Sequence, residues 1–297
     1  MSEKLITVFT PTYNRAHILH RCYECLQNQS VYNFDWLIVD DGSSDNTSEI
    51  VQAWVKDEKR FDIKYVKKAN GGLHTAYNRA LEEPCHELFV CLESDDVFTE
   101  HAMEIIENTW AEMKPKGYAG YITLCRDTNG NIIGERFPDG LESTYYWKHR
   151  RIAAGDKQYI YRTDLLKRVF PMKVYKGEKF FDPKYKFFEI DQYAPLGVTN
   201  EAFDIVDYQE GGLTDTVMYH YYNSPNSFID YRITYMNLPE PTFKYLFRQN
   251  IHYVAESCLA HKLGSSIKNS PKKGYTILAI VPGILFSFVI RYKNRNR

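Results

Sequence analysis

The amino-acid sequence predicts an α/β fold, in which a mostly parallel sheet is flanked by helices and followed by a helical C-terminal extension. Strand and helix patterns alternate four times within residues 1–100, and this alternation is typical of a parallel sheet covered by helices. The fourth strand pattern, Leu88–Leu92, is a short apolar run that leads into Glu93, Asp95 and Asp96. Ligands bind at the carboxyl ends of strands in such sheets, so these acids stand where a functional site is expected.

The composition is that of an ordinary globular protein. Of 297 residues, 44% are hydrophobic and 25% are charged, which is enough for one large or two modest domains. The formal net charge of −1 gives no general attraction to nucleic acid, so we expect no nucleic-acid partner. Cys22 and Cys25 lack a second pair at zinc spacing, and we interpret the cysteines as buried thiols of a reducing compartment. With no secretory signal before the first strand pattern, the expected location is cytoplasmic.

The elements of the first hundred residues follow from local patterns. Their strands are rich in β-branched and aromatic residues and are followed by turn-forming residues. The first helix pattern places Ile18, Cys22 and Leu26 on one buried face. The predicted elements are a strand at 4–10 ended by Pro11, a helix at 16–28, a strand at 34–39, a helix that opens in the turn cluster 40–47 and runs through Trp54, a strand at 61–66, the turn 70–72 into a helix at 73–81, and the strand at 88–92.

Beyond residue 100 the pattern is less regular. A turn cluster at 128–131 separates two β-rich segments, which predicts a hairpin, and Pro171 closes a helical segment. Gly211-Gly212-Leu213-Thr214 reads as a turn, with no role beyond an acceptor contact. The predicted elements are a helix at 100–113, strands at 118–124 and 132–133, a helix at 163–169, a strand at 204–208, and helices at 228–235 and 242–263.

The acids after the fourth strand allow two interpretations from the residues alone. Three carboxylates within four positions repel one another, and a hard divalent cation with oxygen ligands relieves that repulsion. Alternatively, the acids form a turn that caps the helix starting near Thr99, where negative charge favours the helix dipole.

The last forty residues differ from the rest of the chain. After Glu256 there is no acid, while eight lysines and arginines stand on either side of the apolar segment Tyr275–Ile290. The segment is shorter than the ~20 residues of a spanning helix, and Pro282-Gly283 is expected to interrupt it. Basic flanks around such a segment favour a peripheral membrane contact through residues 268–297, on an anionic cytoplasmic leaflet. The alternative is a helix docked on the protein or on a second subunit.

Four stretches together resemble the family 2 glycosyltransferases of bacterial polysaccharide synthesis. These inverting enzymes have the GT-A (Rossmann-like) fold and use nucleotide-sugar donors. The resemblance extends over residues 1–100 and more thinly to about residue 220. The four stretches are Val8-Phe9-Thr10-Pro11-Thr12-Tyr13-Asn14-Arg15, Val39-Asp40-Asp41-Gly42-Ser43-Ser44-Asp45-Asn46-Thr47, Asn70-Gly71-Gly72 with Ala76-Tyr77-Asn78, and Glu93-Ser94-Asp95-Asp96.

The resemblance implies a donor site. Thr10, Pro11 and Tyr13 would hold the base and ribose, with Tyr13 stacked on the base, and Asp40 or Asp41 would accept a hydrogen bond from the imino group of the base. Helix capping is the alternative for both aspartates. The remaining donor residues implied are Asn70, Gly71 and Gly72, whose backbone would approach the donor closely, Asn78 at the family's spacing, and His74, which would contact the diphosphate or else be a solvated helix residue.

The resemblance also implies a metal and a base. Asp95 and Asp96 would bind Mn²⁺ or Mg²⁺ and a ribose hydroxyl between them, and the metal would act as a Lewis acid toward the leaving diphosphate. Glu93 stands where the family more often has Asp. The base that takes the acceptor's proton is expected downstream, and Asp191 is the first candidate with Glu189 second. Both could instead be solvated or paired acids.

The sequence therefore predicts a metal-dependent inverting glycosyltransferase that moves a sugar from a nucleotide-sugar, a UDP-sugar by preference, to a surface polysaccharide or lipid-linked glycan. Its expected organisation is a donor half at 1–100, an acceptor and catalytic half at 101–222, and a helical region at 223–297. The expected location is the inner face of the cell membrane, and an oligomer is compatible with the sequence. Two alternatives remain: a sugar-1-phosphate nucleotidyltransferase, and a degenerate, non-catalytic glycan-binding or assembly subunit.

Overall fold

The computed structural model describes residues 4–208 and 216–295. The chain forms two compact units: the first comprises Met1–Met172 and Lys186–Gln209, and the second Lys173–Tyr185 and Glu210–Arg297. The division expected at residue 100 is not a structural boundary, because strands from both sides of it belong to one sheet. The donor and acceptor halves therefore remain functional predictions. The predicted turn at 211–214 lies outside the described residues.

The first unit contains nine strands and six helices among its described residues, together with most of a further helix, Lys184–Ile190, whose first two residues belong to the second unit. In chain order they are β1 (Ile6–Thr12), α1 (His20–Gln27), β2 (Phe34–Asp40), α2 (Thr47–Asp57), β3 (Ile63–Lys67), α3 (Leu73–Glu82), β4 (Leu88–Cys91), β5 (Val97–Phe98), α4 (Ala102–Met113), β6 (Gly120–Arg126), β7 (Ser143–Thr144), α5 (Tyr146–Ile152), β8 (Lys157–Arg162), α6 (Thr163–Val169), α7 (Lys184–Ile190) and β9 (Leu196–Ile205), with a short 3-10 helix at Lys114–Lys116.

The first unit is built around one mixed sheet, which confirms the predicted α/β fold. Its strand order is β3-β2-β1-β4-β8-β6-β9-β5, with β7 paired to β9. The strands β3, β2, β1 and β4 are mutually parallel, as the alternation of strands and helices predicts. Beyond β4 the pairing is mixed, because β8 is antiparallel to both β4 and β6. The carboxyl ends of the four parallel strands consequently lie at one edge.

Several predicted boundaries are wrong for local reasons. The first strand continues through Pro11 to Thr12, because β4 pairs with β1 only as far as Phe9 and a residue without an N–H is tolerated beyond that point. The first helix starts at His20 rather than at residue 16, since the Asp45 carboxylate accepts a hydrogen bond from Ala16 N (3.0 Å) and holds the preceding turn. The predicted strand at 132–133 is a single bridge, Arg126 to Ile132, and the strand expected at 204–208 is the longer β9.

Aromatic side chains fill much of the first core. Trp36, Phe9, Phe34 and Tyr121 are fully buried. On one face of the sheet Trp54 stacks on Tyr23 and Trp36, with ring centroids 4.7 and 5.9 Å apart. Offset aromatic pairs of this kind add to the stabilisation that burial alone provides. The tyrosine-rich composition is thus used partly for packing.

The second unit is helical, as predicted. Its helices are α8 (Val217–Asn223), α9 (Pro225–Asn237), α10 (Phe243–Leu259), α11 (Leu263–Asn269) and α12 (Lys273–Lys293). The helix predicted at 242–263 ends at Leu259, because the chain turns at His261, which has φ +58°. A small apolar core joins α9, α10 and α12 through Met236, Val254 and Ala279.

The expected interruption at Pro282 does not occur. Helix α12 runs without a break from Lys273 to Lys293, with Pro282 inside it. Contacts on both sides of the proline hold the helix against α10. The Thr276 hydroxyl lies 2.6 Å from Asn250 Oδ1, and Gly283 packs directly on Val254. Tertiary packing therefore outweighs the local preference of proline.

The close approach at Gly283 predicts a specific loss of stability. A Cβ built there would lie 2.5 Å from Val254 Cβ and 2.9 Å from the Ile251 carbonyl oxygen. We expect Gly283→Ala to lower the free energy of unfolding by about 1–3 kcal/mol, as overpacking does, and chemical denaturation measures this change. Gly274→Ala is the matched control, because it lies in the same helix with open space around it. Its stability should be unchanged or higher, and equal stability of both variants would contradict the close packing.

Candidate active site

The carboxyl ends of β1, β2 and β3 meet at one level. Thr12 stands opposite Asp40, and Asp40 opposite Lys67. The Asp40 carboxylate is fully buried and accepts hydrogen bonds from Ser43 N (2.7 Å) and Tyr65 Oη (2.5 Å). Burial and this carboxylate together raise the pKa of Tyr65. Asp40 therefore shapes the turn after β2 from inside the protein.

Asp41 gathers the Asn70–Gly72 loop. Its carboxylate accepts hydrogen bonds from the backbone N–H groups of Gly71 (2.9 Å) and Gly72 (2.7 Å) and from Asn70 Nδ2 (3.0 Å). It also forms an ion pair with Lys68 Nζ at 2.5 Å. Gly72 has φ +93°, a backbone conformation that favours glycine. The structure thus brings the predicted Asp41 and Asn-Gly-Gly residues together just before α3, with Asp41 as the residue that positions the loop.

The turn after β1 presents Tyr13. Asn14, with φ +53°, donates its N–H to Ser43 Oγ (2.8 Å) and accepts from Ser44 N (2.8 Å). These hydrogen bonds hold the turn against the segment that follows β2. The side chain of Tyr13 is 49% exposed. Its ring is accessible for stacking on a ligand.

Two other residues of the predicted donor set lie inside β1. Thr10 is fully buried, and its hydroxyl accepts a hydrogen bond from Trp36 Nε1 (2.9 Å). Pro11 is also buried and pairs with Val39 in the neighbouring strand. In this structure both residues serve packing, and a donor contact by either stays a prediction.

The two remaining residues of the predicted donor set, His74 and Asn78, lie in helix α3. His74 is 1% exposed, so the alternative of a solvated helix histidine is wrong. Asn78 donates from Nδ2 to the Met172 carbonyl (2.9 Å) and accepts at Oδ1 from Met172 N (2.7 Å). Both ends of its side-chain amide thus hold the chain at Met172. This pairing gives no support to the predicted donor contact of Asn78.

The acids after β4 form a concentrated negative site. Asp96 is buried, and its Oδ1 accepts a hydrogen bond from Asp207 N (3.1 Å). Burial, together with the charge of Asp204, raises the pKa of Asp96 to about 9. Asp95 is partly exposed, and its carboxylate lies 3.6 Å from Arg15 Nη2. The helix-capping interpretation of these acids is wrong, because β5 follows them directly and α4 begins only at Ala102.

Asp204 belongs to the same negative cluster and was not predicted. It lies near the end of β9 and is 4% exposed. Its Oδ2 accepts from Gln158 Nε2 (3.0 Å), while its Oδ1 has no hydrogen-bond partner among the described residues. Burial raises its pKa to about 7, and the charge of Glu93 acts in the same direction. An aspartate inside the apolar segment 202–206 was the sequence signal that could have revealed it.

A divalent cation fits this cluster by charge and by donor chemistry. Within residues 4–208 and 216–295, no three His, Cys, Asp or Glu side chains are gathered closely enough to ligate one ion. Mg²⁺ and similar ions, however, are commonly held by one or two carboxylates together with substrate phosphates and water. Asp95 and Asp96 supply those carboxylates. Burial and the charge of Asp204 raise the pKa of Asp96, and a cation beside it would favour the ionised form.

The two base candidates have different surroundings. Asp191 accepts hydrogen bonds from the backbone N–H groups of Tyr146 (2.7 Å) and Trp147 (3.0 Å), and it therefore caps α5. Burial raises its pKa to about 6, against the opposing effect of those two hydrogen bonds. Glu189 is paired with Lys186 Nζ at 2.9 Å on the same helix. The pKa of Asp191 is thus raised toward neutrality, as a general base requires.

Comparison with known proteins agrees with this geometry. The profile described as glycosyl transferase family 2 matches residues 7–181, more than half of the chain. Chondroitin synthase of Pasteurella multocida is 30% identical over 145 residues, which are 48% of this chain and 14% of the synthase. The GalNAc(5)-diNAcBac-PP-undecaprenol beta-1,3-glucosyltransferase of Campylobacter jejuni is 27% identical over 200 residues, 66% of this chain and 57% of that enzyme. The chain therefore spans less than two thirds of the length of either relative.

Solved structures show the same fold at low sequence identity. Staphylococcus aureus TarS 1-349 in complex with UDP-GlcNAc has a TM-score of 0.59 and 17% identity, covering 94% of this chain and 80% of that one. Mannosyltransferase PcManGT from Pyrobaculum calidifontis in complex with GDP-Man and Mn²⁺ has a TM-score of 0.55 and 14% identity, covering 97% and 88%. The fold is thus of the GT-A type. Because the family profile covers most of the first unit, including the strand edge and the acids, the chain belongs to glycosyl transferase family 2.

Proposed function

We propose that this protein is a metal-dependent inverting glycosyltransferase that moves a sugar from a UDP-sugar to a surface polysaccharide or lipid-linked glycan. The observation that carries the proposal is the edge formed by β3, β2, β1 and β4. There an exposed tyrosine, a loop held by Asp41 and a buried acidic cluster follow the ends of neighbouring parallel strands. That is where open α/β sheets bind nucleotides.

The donor would be bound mainly by the ring of Tyr13 and by backbone groups of the Asn70–Gly72 loop. Tyr13 offers an exposed ring on which the base can stack. The Asn70–Gly72 loop, fixed by Asp41, would let backbone groups approach the donor without a Cβ in the way. Because both oxygens of Asp41 already accept bonds from this loop, its principal contribution would be to hold the loop in place.

Asp95 and Asp96 would hold Mn²⁺ or Mg²⁺. When bound, the cation would supply Lewis-acid stabilisation of the charge on the departing nucleotide diphosphate. Support comes from the donor set and from the acids gathered after β4, where the charge of Asp204 adds to burial in disfavouring the ionised form of Asp96. PcManGT, which has this fold, was crystallised with Mn²⁺ and a GDP-sugar.

In the transfer, the acceptor hydroxyl oxygen would form a bond to the anomeric carbon while the bond from that carbon to the diphosphate oxygen breaks. The leaving diphosphate keeps the electron pair, and the hydroxyl proton passes to a carboxylate. Asp191 is our first choice for that carboxylate because of its burial and raised pKa, and Glu189 is the second. A single displacement with one base inverts the anomeric configuration.

The acceptor class is suggested by the names of the relatives. One makes chondroitin, and another glucosylates an undecaprenol-linked glycan. We infer an acceptor of the same two classes for this protein, a growing polysaccharide or a lipid-linked glycan. A lipid-linked acceptor would be reached at a membrane surface, and we propose the cytoplasmic face.

A thermal-shift panel of UDP, GDP, CDP and ADP, each with and without Mn²⁺, tests the proposal. A ligand that binds only the folded state raises its stability, by about 2.7 kcal/mol at a hundredfold excess over Kd. We expect stabilisation by UDP in the presence of Mn²⁺, little without it, and little with UMP, which lacks the second phosphate. A flat panel would overturn the donor assignment.

A turnover assay distinguishes an active transferase from a non-catalytic glycan-binding or assembly subunit. Release of UDP from UDP-glucose, UDP-galactose or their N-acetyl forms, with or without an added acceptor, is expected from an active transferase. Binding of UDP with Mn²⁺ but no release from any of these donors would favour the alternative of a glycan-binding or assembly subunit.

A further inference from the structure

Helix α12 presents a stripe of large apolar side chains to the surface of the second unit. Seven of them are between 45% and 78% exposed. At 3.6 residues per turn they fall within an arc of roughly 120°. The seven are Ile277, Leu278, Val281, Leu285, Phe288, Val289 and Tyr292.

The opposite face of α12 is buried and made largely of small or polar residues. Thr276, Ala279, Gly283 and Ser287 lie on this face, together with Ile290. A surface helix of a water-soluble protein normally has the reverse arrangement, with its large apolar side chains inward. Small residues between helices and large apolar ones outward are characteristic of protein that faces lipid.

The interior of the second unit contains charged and amide side chains as well as its apolar core. Arg232 and Glu256 form a buried ion pair at 3.1 Å. Asn250 is fully buried, and its side chain bonds to the Thr276 hydroxyl. Charged and amide groups thus lie inside this unit beside its small apolar core, while Leu278, Leu285 and Phe288 lie outside. An exposed apolar patch of this kind marks an interaction surface.

The charges around the stripe define the partner. Lys268 and Lys273 are exposed before or at the start of the helix, and Arg291, Lys293 and Arg295 are exposed at or beyond its end. No acid follows Glu256 in the sequence. Basic groups flanking an apolar helix face complement anionic lipid headgroups. A second copy of the helix is a poor match, because both ends are basic and either orientation would bring like charges together.

We propose that the exposed face of α12 binds the surface of an anionic membrane, with the helix lying in the plane of the interface. Helix α12 is long and apolar enough, by length and composition, to cross a bilayer. Its inner face, however, is held by α10 at Asn250 and Val254, whereas its apolar stripe runs along one side for about 22 Å. A one-sided stripe of that length suits shallow insertion from one leaflet. This inference concerns the second unit alone and does not depend on the proposed reaction.

Vesicle flotation with the full chain is the first test. We expect binding to vesicles of phosphatidylglycerol with phosphatidylcholine, and at least tenfold weaker partition to phosphatidylcholine alone or in high salt. The triple variant Leu278→Ser, Leu285→Ser, Phe288→Ser should lose binding by at least tenfold. The triple variant Val55→Ser, Val174→Ser, Tyr222→Ser is the matched control, because it removes exposed apolar side chains elsewhere, and it should bind as the unsubstituted protein does.

Three results would overturn the proposal. The first is equal binding of both triple variants, and the second is binding by neither variant nor the unsubstituted protein. The third is a dimer in solution that only the α12 variant loses, without vesicle binding, which would make the stripe a subunit interface.

Insertion depth distinguishes a helix in the interface from a spanning helix. Tryptophan is introduced singly at Ile277→Trp, Leu285→Trp and Tyr292→Trp, and quenching by lipids brominated at known depths is measured against the unsubstituted protein. We expect three similar, shallow depths. A deep position for Leu285→Trp between two shallow ones would show a spanning helix and contradict the proposal.

Discussion

Asp96→Ala is expected to abolish Mn²⁺-dependent binding of the nucleotide diphosphate and to lower transfer by on the order of 10³-fold, about 4 kcal/mol. Asp96 is the more buried of the two carboxylates after β4, and Asp204 and Glu93 add negative charge around it. Removing it would take away one of the two carboxylates proposed to hold the metal. Calorimetric titration of UDP with and without Mn²⁺, together with a UDP-release assay, measures both effects.

The folded protein without metal should tolerate this substitution. Burial and neighbouring charge raise the pKa of Asp96 to about 9, so ionising it in the folded state is unfavourable. The variant should therefore unfold at the same temperature as the unsubstituted protein or a higher one. Asp139→Ala, at an exposed aspartate, is the control and should retain binding and transfer. Unchanged nucleotide affinity of Asp96→Ala in Mn²⁺ would show that the metal assignment is wrong.

The parallel part of the sheet could be predicted because its signals are local. Each of its strands is an apolar run followed by turn residues and a helix pattern, and sequence periodicity detects such units. Strand β8 was missed because Gln158 to Tyr161 is short and buried, without alternation of polar and apolar residues. Its place between β4 and β6 is set by tertiary pairing, which no local pattern shows.

The candidate site also contains residues whose position the sequence indicates and residues that only the fold reveals. The position of Asp95 and Asp96 at the edge of the sheet could be predicted, because they directly follow a buried strand, while their role as metal ligands stays a prediction. Asn78 and His74 are close in sequence to the Asn-Gly-Gly loop, yet helix α3 uses one to hold Met172 and buries the other. Asp204 is more than a hundred residues from Asp96 and reaches the cluster only through the sheet. Sequence motifs thus locate loops better than they assign single side chains.

For the C-terminal segment, too, the sequence predicts a helix but not which face of that helix is buried. Composition indicated an apolar helix with basic flanks, but it could not show which side packs. Gly283 and Thr276 decide that, because their contacts with α10 require small side chains or a hydrogen bond at those positions. The continuous helix through Pro282 follows from the same contacts.

Asp191→Asn is expected to leave UDP binding intact and to lower transfer by about 10²–10⁴-fold, the usual range for loss of a general base. Asparagine can still accept a hydrogen bond at the start of α5, so the helix cap at Tyr146 and Trp147 should be largely retained. Glu189→Gln is the matched control and should lose little, since Glu189 is paired with Lys186. Full activity of Asp191→Asn with loss in Glu189→Gln would move the base to Glu189.

The pH dependence separates a base from a helix cap. A base acts when ionised, so with a pKa of about 6 the rate should rise tenfold per pH unit below pH 6 and level off above it. The contribution of Asp191 to folding stability changes with pH in the opposite direction. Because burial raises the folded pKa above the ordinary value of 3.8, the contribution of Asp191 to stability is greatest below pH 4 and is lost as the pH rises through 6. If Asp191 were only a cap, Asp191→Asn would remove this change in stability while the pH profile of transfer stayed as before.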